Sequence, residues 1–429
     1  MVNNDPYWWE EIDRESFTGV DFADEYDAVV IGGGLTGTSA ARTLAKNGQS
    51  VLLLEAEKIC FGASTRNGGM IGEGHRVPLD QMASRYGMDT ARELLRETYM
   101  EPLAFAKNLI EEENLDCDYN TYGRFRGQWS TAQYDATARS LDDLRKLVPM
   151  NLEMVPRKRQ RDEVGTDIYF GGLILHDHGG LHPGKYLRAM IGTAQKAGAT
   201  ICASTPVNGI TPSGSGFTVE TARGNIRTDA VLMATNGYTK PAFSWWKRRI
   251  FNPTITMIVT EELPPDTIET IMPGKRMVVE TRSRHCYYRL SPDGKRLMIG
   301  GRAGLTRIPV EKAQSILRNL MIQIFPELHS AGISHCWQGD TGFSFSYLPN
   351  IGQHNGIWHA MGYSGSGNGM APYLGNKVAL NMLDLPGKDT SFTKTTLESK
   401  FWYRGWPWFL PIAHKFFRLQ DIKEDLARR

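Results

Sequence analysis

Long apolar runs are missing from this sequence. No stretch approaches the roughly 20 residues that a membrane-spanning helix requires. The first residues, MVNNDPYWWEEIDRE, are acidic and lack the apolar block of a secretion signal, so a soluble chain is expected. Cysteine is also scarce. Cys60, Cys117, Cys202, Cys286 and Cys336 are odd in number and form no CxxC pair, which argues against a disulfide framework or a zinc site and fits a reducing cytoplasm. Charge of one sign is lacking too: the formal net charge is +2, too small to mark nucleic acid as a partner. His75 and His285 stand alone, and the His176-Asp177-His178 segment reads as a loop border, so neither a metal cluster nor a catalytic triad is expected. What is present is an ordinary globular mixture. Hydrophobic residues make up 41% of 429, enough for a core in two or three domains.

The most informative segment lies near the start. Ala28–Ile31 is a short β-branched apolar run suited to a buried parallel strand. Gly32-Gly33-Gly34-Leu35-Thr36-Gly37 follows at once, then a helical composition over Thr38–Asn47 that stops at Gly48. A second buried strand, Ser50–Leu54, is closed by Glu55. Each part has a task in holding a dinucleotide. Gly32 permits the tight turn, Gly34 lets backbone approach a pyrophosphate, and Gly37 lets helix pack on strand. The helix end at Leu35 and Thr36 offers N–H groups and a positive dipole to phosphates. Glu55 is placed to accept from ribose hydroxyls.

Two further segments favour FAD over a nicotinamide. The loop Phe61-Gly62-Ala63-Ser64-Thr65-Arg66-Asn67-Gly68-Gly69 supplies small residues and one cation beside the second strand, suiting a wrap around a pyrophosphate and a flat ring. Late in the chain, Gly362-Tyr363-Ser364-Gly365-Ser366-Gly367-Asn368-Gly369 opens a helical pattern over Tyr373–Leu383, whose N-terminus can face the electron-rich end of a flavin. No second GxGxxG sits between strand and helix, so oxygen or another acceptor is expected to take the electrons.

These segments, with Tyr86–Arg92, Cys117-Asp118-Tyr119, Gly179–Pro183, Ala234–Tyr238, Tyr287–Leu290, Trp337-Gln338-Gly339 and Gly362–Gly367, resemble the D-amino-acid oxidase and glycine/sarcosine oxidase superfamily. Within it the sequence is most similar to gamma-glutamylputrescine oxidase-like flavoproteins. The resemblance covers most of the chain except the last 40 or so residues. It implies an α/β fold: a Rossmann-like FAD-binding domain (27–80, 150–240 and 348–386) interleaved with an α+β substrate domain built on a mainly antiparallel sheet (81–149 and 241–347). A C-terminal extension, 387–429, follows. Gly180–Gly198 is expected as a helix and Ala230–Ala234 as a strand. In the substrate domain Thr254–Glu261, Arg276–Glu280, His285–Leu290 and Arg296–Gly300 are expected strands, with a turn at Pro292-Asp293-Gly294. The resemblance adds Val207, Thr235, Asn236 and Gly237 to the cofactor contacts. Two positions depart from the branch: Ser366 stands where His is usual, and Tyr347 where many relatives have Asp or Arg.

The resemblance implies oxidation of a small amine or N-substituted amino acid, with FAD taking hydride from the carbon next to nitrogen and the imine then hydrolysing. Covalent flavin in relatives uses a His in the early loop or a Cys near the late one. Asn67 and Phe343–Leu348 offer neither, so dissociable FAD is expected. Alternation puts His285, Tyr287 and Arg289 on one strand face and Cys286 and Tyr288 on the other. The candidate substrate site comprises His285, Tyr287, Tyr288, Arg289, Trp337, Tyr347 and Ser366. Arg289 either clamps a substrate carboxylate or serves the structure, and Trp245 and Trp246 either wall a cationic amine or pack in the core. A 2-hydroxy-acid dehydrogenase serving a quinone, and a flavin-bearing assembly protein, remain alternatives. The tail FWYRGWPWFLPIAHKFFR, residues 401–418, either touches a membrane surface or straps onto the domains, the latter preferred, and Pro407 and Pro411 argue against a long amphipathic helix there.

Overall fold

Val29, Val30 and Ile31 are buried on both sides of their strand, and the reason lies in its pairing. Glu25–Ile31 runs parallel to both Gly224–Met233 and Val51–Leu54, the setting in which an unbroken apolar run is stable. The structure is a computed structural model, and it describes residues 2–72, 74 and 76–428; His75 lies outside the described residues. The first sheet has the strand order Asn350–His354, Ile357–Met361, Gly224–Met233, Glu25–Ile31, Val51–Leu54, Thr200–Cys202. An antiparallel pair, Val207–Ser213 with Gly216–Thr221, extends from Gly224–Met233. Helices Leu35–Lys46, Pro183–Lys196 and Met370–Met382 pack together in the large core that includes Val30, Leu53 and Leu232.

Several element ends differ from expectation, each for a local reason. The first helix begins at Leu35 rather than Thr38, because Gly34 in an extended conformation already serves as its N-cap. The late helix begins at Met370, before Pro372; a proline in the first turn costs no internal hydrogen bond. Gly179–Gly180 pairs with Met70–Ile71 instead of opening a helix, which starts at Pro183 behind the cap His182, whose Nδ1 accepts from Lys185 N at 3.0 Å.

The second sheet runs Ile333–Asp340, Thr254–Thr260, Leu297–Gly301, Tyr287–Leu290, Met277–Glu280, Arg124–Gly127, Gly172–Leu175, Leu152–Val155. Its pairs are antiparallel except that between Met277–Glu280 and Arg124–Gly127. Cys286, Tyr288 and Ile299 face a core shared with helix Val310–Ile324. The last two strands of this sheet come from the 150–240 stretch assigned by pattern to the first domain. That boundary is corrected: Leu173 and Ile174 pair with Arg126 and Phe125, so we place the return to the first domain after Leu175.

Candidate active site

The glycine turn is built for contact. Gly32 has φ +110°, and a Cβ there would lie 2.9 Å from Ala234 O. A Cβ on Gly37 would lie 2.0 Å from Gly32 O, so only glycine lets helix and turn meet. Gly33 N–H donates to Glu55 Oε2 at 2.8 Å, and Glu57 N–H donates to Oε1 at 3.1 Å. Burial pushes the Glu55 carboxyl above its usual pKa, against the pull of these N–H groups. Leu35 N–H donates to Ser64 Oγ at 3.2 Å, joining the early loop to the helix end.

A cavity of about 390 Å³ runs from this turn to the second sheet. Of the expected cofactor residues, Gly32, Gly34, Leu35, Thr36, Glu55, Ala63, Ser64, Arg66, Asn67, Gly68, Val207, Thr235, Asn236, Gly365, Ser366, Gly367 and Asn368 line it. The others shape it from behind. Thr65 is buried and donates to Cys60 O. Gly69 has φ +67° against Leu181 O, and a Cβ on Gly237 would press on Gly342. Gly362 N–H donates to Asn236 Oδ1 at 3.1 Å, Ser364 O accepts from Arg76 Nε at 2.7 Å, and Gly369 caps the late helix. Sequence reasoning missed Glu57, Arg76, Arg124, Tyr238, Lys240, Ile255, Val279 and Asp340, all on the lining. Arg124, Ile255 and Val279 lie on strands of the second sheet, where inward side chains are set by pairing and have no local motif.

The early loop is held from three directions. Arg66 donates to Phe61 O and Gln338 O, Trp337 Nε1 donates to Arg66 O at 3.0 Å, and Asn368 Nδ2 donates to Asn67 Oδ1 at 2.9 Å. The N-terminal segment closes the third side. Trp8 Nε1 donates to Asn67 O at 2.8 Å and Trp9 Nε1 to Thr65 Oγ1 at 3.0 Å. This role had no signal beyond the two adjacent tryptophans.

The substrate candidates separate. His285 and Tyr287 line the cavity at the second sheet. Burial, with Arg302, Arg76 and Arg282 nearby, pushes the His285 pKa well below its usual value, so the imidazole is neutral. Of the two readings of Arg289 the geometry favours the structural one: Nη1 donates to Gly69 O at 2.8 Å and Leu181 O at 2.9 Å, and Nε donates to Leu290 O. Its guanidinium ties the early loop to the sheet and is absent from the cavity wall. Tyr288 is corrected, since it faces the opposite core and meets Tyr169 Oη at 3.0 Å. Trp337 backs the loop in a cluster with Tyr7, Trp8 and Met257, away from the lining. Tyr347, at φ +60°, lines a small second cleft with Arg76 and Ser366. Trp246 packs in the core beneath the first sheet, while Trp245 stacks on His354 at 4.1 Å with Arg249 as its cation. His176 pairs with Glu153, and His178 is buried against Gly72.

Residues 27–380 match the family model described as DAO, FAD dependent oxidoreductase. The chain belongs to this family. It is 30% identical over 361 residues to the gamma-glutamylputrescine oxidoreductase of Escherichia coli K12, covering 82% of each chain. It is 24% identical over 372 residues to the glycine oxidase of Geobacillus kaustophilus, covering 82% of this chain and 92% of that one. The crystal structure of glycine oxidase from Geobacillus kaustophilus aligns with a TM-score of 0.71 at 19% identity, over 88% of this chain and 99% of that one. The L-proline dehydrogenase of P. horikoshii aligns with a TM-score of 0.68 at 22% identity, over 85% and 94%. The DAO member described here is thus an FAD-dependent oxidoreductase. Its residues suit the cofactor: Gly32 and Gly37 permit a tight turn that no Cβ would allow, this turn lines the cavity beside the helix end at Leu35 and Thr36, and Glu55 lies next to it. Bound FAD supplies a hydride acceptor.

Proposed function

We propose that this DAO member oxidises a small amine or N-substituted amino acid at the carbon next to nitrogen, with oxygen or another acceptor taking the electrons. The supporting observation is the charge of the chamber at the second sheet. Its walls are apolar at Met70, Ile255 and Val279, with Tyr287 across them, and among the described residues Arg76 and Arg124 bring positive charge to it. Among the described residues the carboxylates of the lining are Glu55 and Glu57 at the glycine turn, and Asp340 at the end of the second sheet's edge strand, where its charge is engaged by Arg307 and Thr254.

A cationic, partly apolar chamber acts on an amino acid in two ways. It attracts the carboxylate, and it disfavours the ammonium form, so the amine binds neutral with its lone pair available as hydride leaves. Neutral His285 adds no positive charge and keeps a ring nitrogen able to accept a hydrogen bond. Walls of this kind also exclude water and fix the C–H bond in one orientation. The similarity to the gamma-glutamylputrescine oxidoreductase and glycine oxidase supports a nitrogen-bearing substrate.

An anaerobic titration tests this. Amines, N-substituted amino acids and 2-hydroxy acids are added to FAD-loaded protein while the flavin absorbance is followed. We expect bleaching by at least one nitrogen compound bearing a carboxylate. Bleaching by hydroxy acids alone would reassign the chamber, because its cations also suit those carboxylates.

A further inference from the structure

Helix Leu410–Ala427 and the loop before it carry apolar side chains that none of the described residues covers. Helix Leu410–Ala427 forms despite Pro407 and Pro411, because Pro411 falls in its first turn. The strap expectation holds for only one of its faces. On that face Leu410 is buried with Phe251, Phe343 and Tyr403, and Phe417 packs against them. The helix's acids are turned the same way: Asp421 accepts from Arg284, Glu424 from Ser283 Oγ at 2.7 Å, and Asp425 from Trp129 Nε1 at 2.9 Å.

The opposite face is apolar and open. Ile412, Phe416, Leu419, Ile422 and Leu426 recur at helical spacing, and each is between 49% and 66% exposed. The preceding loop adds Phe401 at 88%, Trp406 at 74% and Trp408 at 49%. Exposed apolar side chains are ordinary singly, but five on one face of one helix mark an interaction surface. The charge beside it has one sign. Arg404, Lys415, Arg418 and Lys423 form no ion pair among the described residues, while the acids of the helix are engaged on the inner face.

We propose that this segment docks the protein on the surface of an anionic lipid bilayer, with the helix in the plane of the interface. Two features favour lipid over a protein partner. At about 100° per residue, Lys415 and Lys423 fall within the arc of the five apolar positions. Lysine in the centre of a protein interface would be desolvated, and such centres are depleted in it. At a bilayer the same side chains reach the phosphates while their stems stay in the apolar layer. The tryptophans of the loop have the amphipathic rings that collect at headgroup depth. Among the described residues no helix is long and apolar enough to cross a membrane, so attachment is to the surface.

The test is co-sedimentation of the full-length, FAD-loaded protein with vesicles of phosphatidylcholine, and with vesicles in which phosphatidylglycerol is a major component. The protein should follow the anionic vesicles and leave them as salt rises. Each basic residue near an anionic surface is worth about fivefold in partition. The variant Lys415→Glu/Arg418→Glu/Lys423→Glu should therefore lose binding more than tenfold, and Trp406→Ser/Phe416→Ser/Leu419→Ser should lose it too. The flavin spectrum of each variant reports that it is folded. Protein that stays in solution beside anionic vesicles overturns the proposal, as does equal binding to both vesicle types. A dimer in solution that the apolar triple variant converts to monomer would also overturn it, assigning the face to a second copy.

Discussion

Glu55 shows how a single residue can serve the cofactor at the fold's expense. Its carboxylate receives Gly33 N–H and Glu57 N–H, yet burial still raises its pKa. A raised native value means that the fold prefers the protonated form. The apoprotein should therefore be most favoured by this group at low pH and lose that contribution as pH rises from the ordinary carboxylate range through the native value. Glu55→Gln keeps an acceptor for Gly33 and removes the charge. Its apoprotein should melt no lower than the parent at neutral pH, while FAD affinity falls about tenfold through the weaker hydrogen bonds to ribose hydroxyls. Thermal melts of apoprotein and a fluorescence titration with FAD check the two halves. Arg289 and Arg124 give a contrasting pair. Arg289→Met leaves the Leu181 carbonyl without its side-chain donor, while Gly69 O keeps the Leu181 N–H, at a cost of about 2 kcal/mol in a denaturant titration. Turnover per bound flavin should keep its KM. Arg124→Met should instead raise the KM for a carboxylate-bearing substrate at least about tenfold, by loss of a charged contact.

At the scale of elements, the early loop Phe61–Gly69 is fixed from outside itself. Its backbone is held by Trp337 from the second sheet and by Trp8 from the N-terminal segment. Gly68 packs so closely under Tyr287 that a Cβ would meet the ring at 2.6 Å. The N-terminal clamp is therefore part of the cofactor site, though it contributes nothing to the cavity wall. Replacing Trp8 and Trp9 by Phe removes two donors, each worth about 1 kcal/mol, and keeps most of the packing. FAD should dissociate about tenfold more readily, as measured by fluorescence recovery on dilution. The loop's composition was readable from its glycines and Arg66, because close approach to a cofactor restricts residue type locally. The clamp was not, because a hydrogen bond from residue 8 to residue 67 leaves no periodicity in either segment. The same reasoning explains Arg289. Alternation placed it on the face of His285 and Tyr287, but Gly69 and Leu181, which sit elsewhere in sequence, decide where its guanidinium turns.

Across the whole molecule, the cavity joins two sheets that the chain enters in alternation. Strand–turn–helix order made part of the first sheet legible, since Glu25–Ile31 is followed by helix Leu35–Lys46 and Ile357–Met361 by Met370–Met382. The second was only partly so. Leu152–Val155 and Gly172–Leu175 have no local mark of their sheet; only the pairing of Gly172–Leu175 with Arg124–Gly127, and of Leu152–Val155 with Gly172–Leu175, assigns them to it. Because the cofactor cavity lies between the sheets, FAD should stabilise both together. We also propose that the cofactor is held without a covalent bond. Among the described residues the lining offers one thiol and one imidazole, Cys60 and His285. Burial pushes the Cys60 thiol up to about 12, so it stays protonated and a poor nucleophile. Acid precipitation should therefore release all the yellow colour into the supernatant, and colour retained in the pellet would refute the proposal. Re-adding FAD to the refolded apoprotein at about a hundred times its Kd should then stabilise it by about 2.7 kcal/mol. A single melting transition that moves upward as a unit is the expected result, because a ligand held by residues of both sheets couples their unfolding.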